Sequence, residues 1–239
     1  MILGMPRDKS YIKDRGILAK YLPLCNRIKV MSNCTIYIVR HGQSVNNRDD
    51  VLSGHVDTDL TAEGKTQAKV LARKLSHIKF DEIYTSDLQR AIKTAELISG
   101  RRIIKDHQLT QLRERSFGQM EGTPAKHWRA MHKAEHYQKM PDDKRWTHKH
   151  RPDIESDHEV SVRYIKALQD LAKQHPGETL LIVAHGGALR ALLIKLGYAT
   201  LSDLPPGAMQ NTSYAKLIYD GHELNVEETF GIDKSAGLS

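Results

Sequence analysis

The chain has only two cysteines, Cys25 and Cys34, in 239 residues. They lack metal-ligand spacing and stand in no secretory context, so they read as reduced thiols, not as a disulfide framework. No run approaches the roughly 18 apolar residues that a transmembrane helix needs. The beginning of the chain has no apolar stretch of signal-peptide length, because Lys20 interrupts Ile17-Leu18-Ala19 and Pro23 follows Leu22. Internal repeats and low-complexity blocks are missing too. These absences exclude a membrane partner and an exported disulfide scaffold, and lead us to expect a folded cytoplasmic protein.

The formal net charge is +7, which invites a nucleic-acid reading until the charge is located. Arg7, Lys9, Lys13, Arg15, Lys20, Arg27 and Lys29 face only Asp8 and Asp14 in the first 30 residues. The excess therefore belongs mostly to a basic leader, and the rest of the chain is nearly balanced. With no aromatic platform or basic helix of known type, nucleic acid is not expected as a partner. The leader has some character of an organelle-targeting segment, against which Asp8, Asp14 and Pro23 weigh. A blander reading is that Met31 is a translation start, since Met31-Ser32-Asn33-Cys34 leads straight into the first strand. We expect a non-core extension over 1–33 and one domain over 34–239, interrupted by an insertion at about 123–157.

Within that domain apolar periodicity alternates between strand and helix. Ile36 to Val39 reads as a strand, as do Phe80 to Tyr84, Arg102 to Lys105 and the uninterrupted apolar run Thr179 to Ala184. Tyr214 to Tyr219 and Glu223 to Glu227 form a final hairpin about Asp220-Gly221. Helices are expected from Thr61 through Ser76, from Asp87 to Gly100, over a polar stretch from Pro124 to about Met140, from Glu159 to Gln174, and from Ala188 to Leu196. Pro141 to Asp157 reads as loop. The order implies an α/β fold of three layers, with a mostly parallel central sheet flanked by helices.

Two strand ends carry chemistry. Arg40-His41-Gly42 follows the first apolar strand, and His185-Gly186-Gly187 follows the Thr179 to Ala184 strand. Ligands of open α/β sheets bind outside the carboxyl ends of the strands, and neighbouring parallel strands would set these histidines face to face.

The chain then resembles a known family. Arg40-His41-Gly42-Gln43-Ser44 with Asn47, Ser53-Gly54, Asp59-Leu60-Thr61-Ala62-Glu63-Gly64, Ser86-Asp87-Leu88-Gln89-Arg90-Ala91, Leu112-Arg113-Glu114 and Ala184-His185-Gly186-Gly187 occur in one order. Together they are similar to the histidine phosphatase superfamily, the phosphoglycerate mutase-like proteins. The resemblance runs from about Cys34 to about Glu228 and implies a phosphohistidine mechanism without metal or other cofactor. His41 would be the nucleophile, its second nitrogen held by a backbone carbonyl in the Gly42 turn. Arg40, Arg90 and His185 would neutralise the equatorial phosphoryl oxygens, with Asn47 and the Gly186 amide adding hydrogen bonds. Glu114 would be the general acid, ahead of Glu121 because of its Leu-x-Glu context. Ser53, Gly54 and Arg115 are candidate substrate contacts.

His127, His132, His136, His148, His150 and His158 raise a metal reading that their spacing does not sustain, so they are expected as solvated polar residues of the insertion. In this family the insertion covers the site and shapes substrate choice. Arg129, Lys133 and the histidines would give it a cationic face toward anionic substrates. Leu112 to Gly118 looks like the mutase Glu-Arg segment, but no paired arginines follow in the insertion. The leading reading is a phosphatase of small phosphorylated metabolites, monomeric or homodimeric. A phosphoglycerate mutase is the alternative, and a catalytically silent binding protein would need a missing catalytic residue. Phosphosugars, phosphoglycerates, phosphoserine and nucleotide-pathway phosphates all stay open as substrates. A chain beginning at Met31 is expected to fold and keep its activity, as measured by thermal melting and phosphate release; loss of either makes the leader essential.

Overall fold

Strand β1 (Cys34–Arg40) sends Ile36 and Ile38 to one side and Tyr37 and Val39 to the other, and all four are buried. Both faces of its sheet are therefore covered, as a strand with no polar face requires. The computed structural model describes residues 32–233. The expectations for the basic leader and the Met31 start lie outside the described residues.

After β1 the chain forms α1 (Val45–Arg48), α2 (Ala62–Lys74), β2 (Glu82–Thr85) and α3 (Gln89–Ser99). The insertion follows with α4 (Ala125–Lys133), α5 (Glu135–Gln138) and α6 (Asp142–Thr147). Then come α7 (Asp157–Gln174), β3 (Thr179–Ala184), α8 (Gly186–Lys195), β4 (Met209–Tyr219) and β5 (Leu224–Ile232). Local chemistry sets the boundaries. Thr61 caps α2 by accepting the Gly64 amide at 3.0 Å, Gly100 closes α3 in the left-handed region at φ 69°, and Ser156 and Glu159 form a capping box on α7.

The strand order is β2-β3-β1-β4-β5. β2, β3 and β1 run parallel, whereas β4 and β5 are antiparallel, so the sheet is mixed. Helices α2 and α3 cover the face carrying Tyr37, Val39, Leu181 and Val183. Helices α7 and α8 cover the face carrying Ile36, Ile38, Leu180 and Ile182. The three-layer α/β architecture expected from the sequence is present.

Arg102 to Lys105 is not a strand. Of these residues only Ile103 is buried, and the chain passes into a 3-10 turn, Lys105–His107. The His107 Nδ1–H donates to the Ile83 carbonyl at 2.9 Å, taking up a β2 edge acceptor that a further strand would have used. Helix α6 occupies part of the stretch expected as loop.

His127, His136 and His158 are exposed as expected, but His132 and His150 are not. Trp128 packs against Phe117 with ring centroids 4.9 Å apart and against His132 at 4.2 Å. Tyr137 lies 4.6 Å from His150. His132 is only 9 % exposed, and its Nδ1–H donates to the Trp128 carbonyl at 3.1 Å. Aromatic packing thus converts polar-looking positions into interior ones. Burial, reinforced by neighbouring imidazole charge, pushes His132 down to about 3 and His150 down to about 4. Beneath them Asp157, 4 % exposed, lies between Arg115 and Arg190. Burial raises its carboxyl, but the two guanidiniums outweigh that and hold it below the usual carboxylate range.

Because the folded state keeps His132 neutral, the unfolded chain binds more protons below the ordinary imidazole value of about 6.5, and stability must fall as pH drops. The Asp157 contribution is lost only below the ordinary carboxylate value of about 3.9, outside this window. We predict that His132 alone removes about 1.5 kcal/mol between pH 6.5 and 5. Denaturant unfolding across that range should show a slope that His132→Asn reduces by about 1.4 kcal/mol per pH unit at its acid end; an unchanged slope refutes the buried neutral imidazole.

Candidate active site

The parallel ladders bring three strand ends to one level. Arg40 pairs with Ala184, the His41 amide donates to the Ala184 carbonyl at 3.0 Å, and the Ser86 amide donates to the Val183 carbonyl at 3.1 Å. His41, Ser86 and His185 therefore leave adjacent strands together. The two imidazoles stand 5.2 Å apart, centroid to centroid.

The His41 Nδ1–H donates to the Gly42 carbonyl at 2.7 Å. This leaves Nε2 as the unprotonated nitrogen. Burial, then the charges of Arg90 and Arg40, push the imidazole well below its ordinary value despite the Gly42 hydrogen bond. The Gly42 amide donates to Thr94 Oγ1 at 3.1 Å, and that hydroxyl donates to the Arg90 carbonyl at 2.7 Å. A Cβ at Gly42 would lie 2.4 Å from the Gly64 carbonyl oxygen. The turn after β1 can approach α2 this closely only as glycine.

Arg90 is 1 % exposed, and its guanidinium donates to the Gly54 and Val56 carbonyls at 2.7 and 2.8 Å. Arg40 donates to the Met209 carbonyl, while its buried Nε has no partner. Burial, opposed by Glu114 and assisted by Arg90, lowers the Arg40 guanidinium to about 10. Gly186 makes room for it, since a Cβ there would meet Arg40 Nε at 2.9 Å. Ser86 Oγ lies 2.6 Å from His185 Nε2. With the hydroxyl donating, His185 Nδ1 carries the proton, and this buried atom has no partner. Burial and the Arg90 charge push His185 well below its ordinary value as well.

Glu114 accepts the Arg115 amide at 2.8 Å and the Gly187 amide at 2.9 Å. Glu121 instead accepts the His55 and Phe117 amides at 3.0 and 3.1 Å, which makes it a brace for the Ser53 loop. Asn47 Oδ1 takes the Ser44 amide at 3.2 Å and Asn211 Nδ2 at 3.3 Å, leaving its own amide hydrogens for the cavity. Ser53 Oγ is buried without a partner, and the Gly54 carbonyl is occupied by Arg90. Arg115 is tied to Asp157 and to the Glu155 carbonyl. Arg40, His41, Asn47, Ser53, Gly54, Arg90, Glu114, Arg115 and Gly186 all line one cavity of about 350 Å³. His185 stands behind it against His41.

Some contributors were not singled out from the sequence. Asn211 donates to the His41 carbonyl at 3.1 Å, from an irregular stretch of β4 whose register shifts between Met209 and Tyr214. The bend requires Thr212 at φ 59°, a strained setting for a β-branched residue. Ser86 had a readable signal, since it ends the second parallel strand as His41 and His185 end the other two. The expected cationic face of the insertion is not formed at the cavity. Arg129 is paired with Asp50 at 2.6 Å, His132 is neutral, and Lys133 is exposed. Among the described residues no three His, Cys, Asp or Glu side chains converge as a metal-holding group, and no helix is long and apolar enough to cross a membrane.

Comparison with known proteins agrees with this geometry. Residues 36–230 match the model of the histidine phosphatase superfamily, branch 1. A putative phosphoserine phosphatase 2 of Hydrogenobacter thermophilus is 36% identical over 192 residues, covering 79% of this chain and 91% of that protein. The solved structure of Bacillus stearothermophilus YhfR is 31% identical, with a TM-score of 0.67 over 81% of this chain and 95% of that one. A phosphoglycerate mutase structure from Bacillus anthracis gives a TM-score of 0.71 at 25% identity, over 87% of this chain and 97% of that one. With strand ends, cavity and sequence in agreement over nearly the whole described chain, the protein belongs to the histidine phosphatase superfamily and is a phosphatase.

Proposed function

We propose that the protein hydrolyses small phosphomonoesters through a phosphohistidine at His41, without a metal. The observation that carries this is the pairing of a tautomer-fixed imidazole with unpartnered buried nitrogens, one on a residue that lines the same cavity and one directly behind it. His41 Nδ1 is anchored to Gly42, while Arg40 Nε and His185 Nδ1 are buried and unpartnered. Buried polar atoms without partners cost stability, and a phosphoryl group would supply the missing acceptors.

The Nε2 lone pair of His41 attacks phosphorus as the bond to the ester oxygen breaks. Arg40, Arg90 and His185 stabilise charge on the three equatorial oxygens, with Asn47 and the Gly186 amide assisting. Glu114 gives its proton to the departing oxygen. A water molecule then attacks the phosphohistidine, Glu114 takes the proton of that water, and the P–N electron pair returns to His41. Ser53, a lining residue of the cavity, contacts the ester.

Hydrolysis is favoured over mutase chemistry because Arg115, the residue most suggestive of a mutase, has its guanidinium engaged by Asp157 and Glu155. Arg115 therefore supports the wall and leaves no free cation for a second acidic group. Isomerisation of 3-phosphoglycerate with 2,3-bisphosphoglycerate and little free phosphate would reverse this choice.

His41→Ala is expected to lower phosphate release by at least about 10⁴-fold, vanadate should inhibit the wild type, and EDTA should not; turnover surviving in the variant would remove His41 from the reaction. Glu114→Gln should cost about 10²–10⁴-fold in kcat on alkyl phosphates but much less on p-nitrophenyl phosphate, whose leaving group needs no proton. Equal losses on both esters would deny Glu114 the acid role.

A further inference from the structure

The charges around the cavity specify more than a phosphate. Arg40, Arg90, Arg115, Arg129 and Arg190 line it, and each has a definite engagement. Arg129 grips Asp50 through two bonds of 2.7 and 2.6 Å. Arg115 and Arg190 share Asp157, with Arg190 at 3.0 Å. Arg40 and Arg90 bond to backbone carbonyls. Asp50 engages Arg129, and Asp157 engages Arg115 and Arg190. The two guanidiniums that no carboxylate engages, Arg40 and Arg90, carry two positive charges, which equals one phosphate dianion. A second acidic group, on the alcohol half of a substrate, would meet cations already paired and would share the cavity with Asp50.

Another part of the lining has a different character. Leu52, Phe117, Ala125 and Trp128 line the cavity and belong to one apolar cluster. Phe117 and Trp128 meet edge to face at 4.9 Å, and Arg115 lies over the Trp128 ring at 5.5 Å, so the indole is held rigidly. Such a wall gains free energy by covering apolar surface and loses it when a charged group is desolvated there.

We propose that the alcohol half of the preferred substrate is uncharged and carries an aromatic or similarly bulky apolar group seated against Trp128, Phe117 and Leu52. This rests on the phosphohistidine reading of the same site and selects among its phosphomonoesters. It separates them from esters of small acidic alcohols such as phosphoserine and 3-phosphoglycerate.

The test compares 2-phenylethyl phosphate, ethyl phosphate, phosphoserine and 3-phosphoglycerate by kcat/KM, none of them having a strongly activated leaving group. We expect 2-phenylethyl phosphate to exceed both acidic esters by at least about tenfold. Trp128→Ala should lower the phenylethyl-to-ethyl ratio by about tenfold or more. Asp50→Asn, at an exposed position that does not threaten the fold, frees Arg129 and should raise the phosphoserine-to-phenylethyl ratio several-fold. Phosphoserine or 3-phosphoglycerate matching the phenylethyl ester in the wild type would overturn the proposal, as would an unmoved ratio in Asp50→Asn. If His41→Ala still abolishes turnover in that event, the mechanism stands and only the substrate class fails.

Discussion

When Arg40 pairs with Ala184 in the parallel ladder, the next residue on each strand is a histidine, and both imidazoles emerge at one height. Every later feature of the site depends on that register. Side chains alternate along a strand, so a slip of one residue would turn His41 to the opposite face and shift it by about 3.3 Å along the sheet. The ladder is held in place by the apolar sets on its two faces, which cannot exchange without exposing Ile36 and Ile38 or Tyr37 and Val39. Packing of an ordinary core thus delivers the alignment that the chemistry uses.

Alignment alone would not give the neutral imidazole that the proposed mechanism needs. The site brings two guanidiniums into an interior where no carboxylate pairs with them directly, and backbone carbonyls of Gly54, Val56 and Met209 take that place. Dipoles of this kind orient a cation without cancelling its charge, so the field still reaches His41 and His185 and keeps both neutral. The stability given up at Arg40 Nε and His185 Nδ1 is concentrated around His41. That is the arrangement expected where donors are fixed before the ligand arrives.

The parts of this design differ in how readable they are in the sequence. His41, Arg90, Glu114 and His185 sit in short segments whose order along the chain matches a family, and strand ends follow from apolar runs bounded by glycine. Arg102 to Lys105 misled because one apolar anchor, Ile103, resembles a strand locally, while the competing role of His107 at the β2 edge is visible only in three dimensions. The insertion misled more deeply. His132 and His150 are polar letters, and their burial comes from Trp128, Phe117 and Tyr137, contributed by separate segments. Pairing of Arg129 with Asp50, and of Arg115 and Arg190 with Asp157, likewise joins distant positions and lowers the positive charge that counting residues suggested. Asn211 was hidden by the irregular stretch of β4, which breaks the alternation that marks a strand.

Thr94 gives the site a mechanical property of its own. One hydroxyl receives the amide of Gly42, beside His41, and is bonded to the carbonyl of Arg90, so the two sides of the cavity cannot drift independently. Under the proposed phosphohistidine mechanism, a displacement of α3 would be passed to both sides of the phosphoryl group at once, and the distance between attacking nitrogen and clamped oxygen would be kept. That link is two hydrogen bonds inside the body of the domain, separate from the insertion.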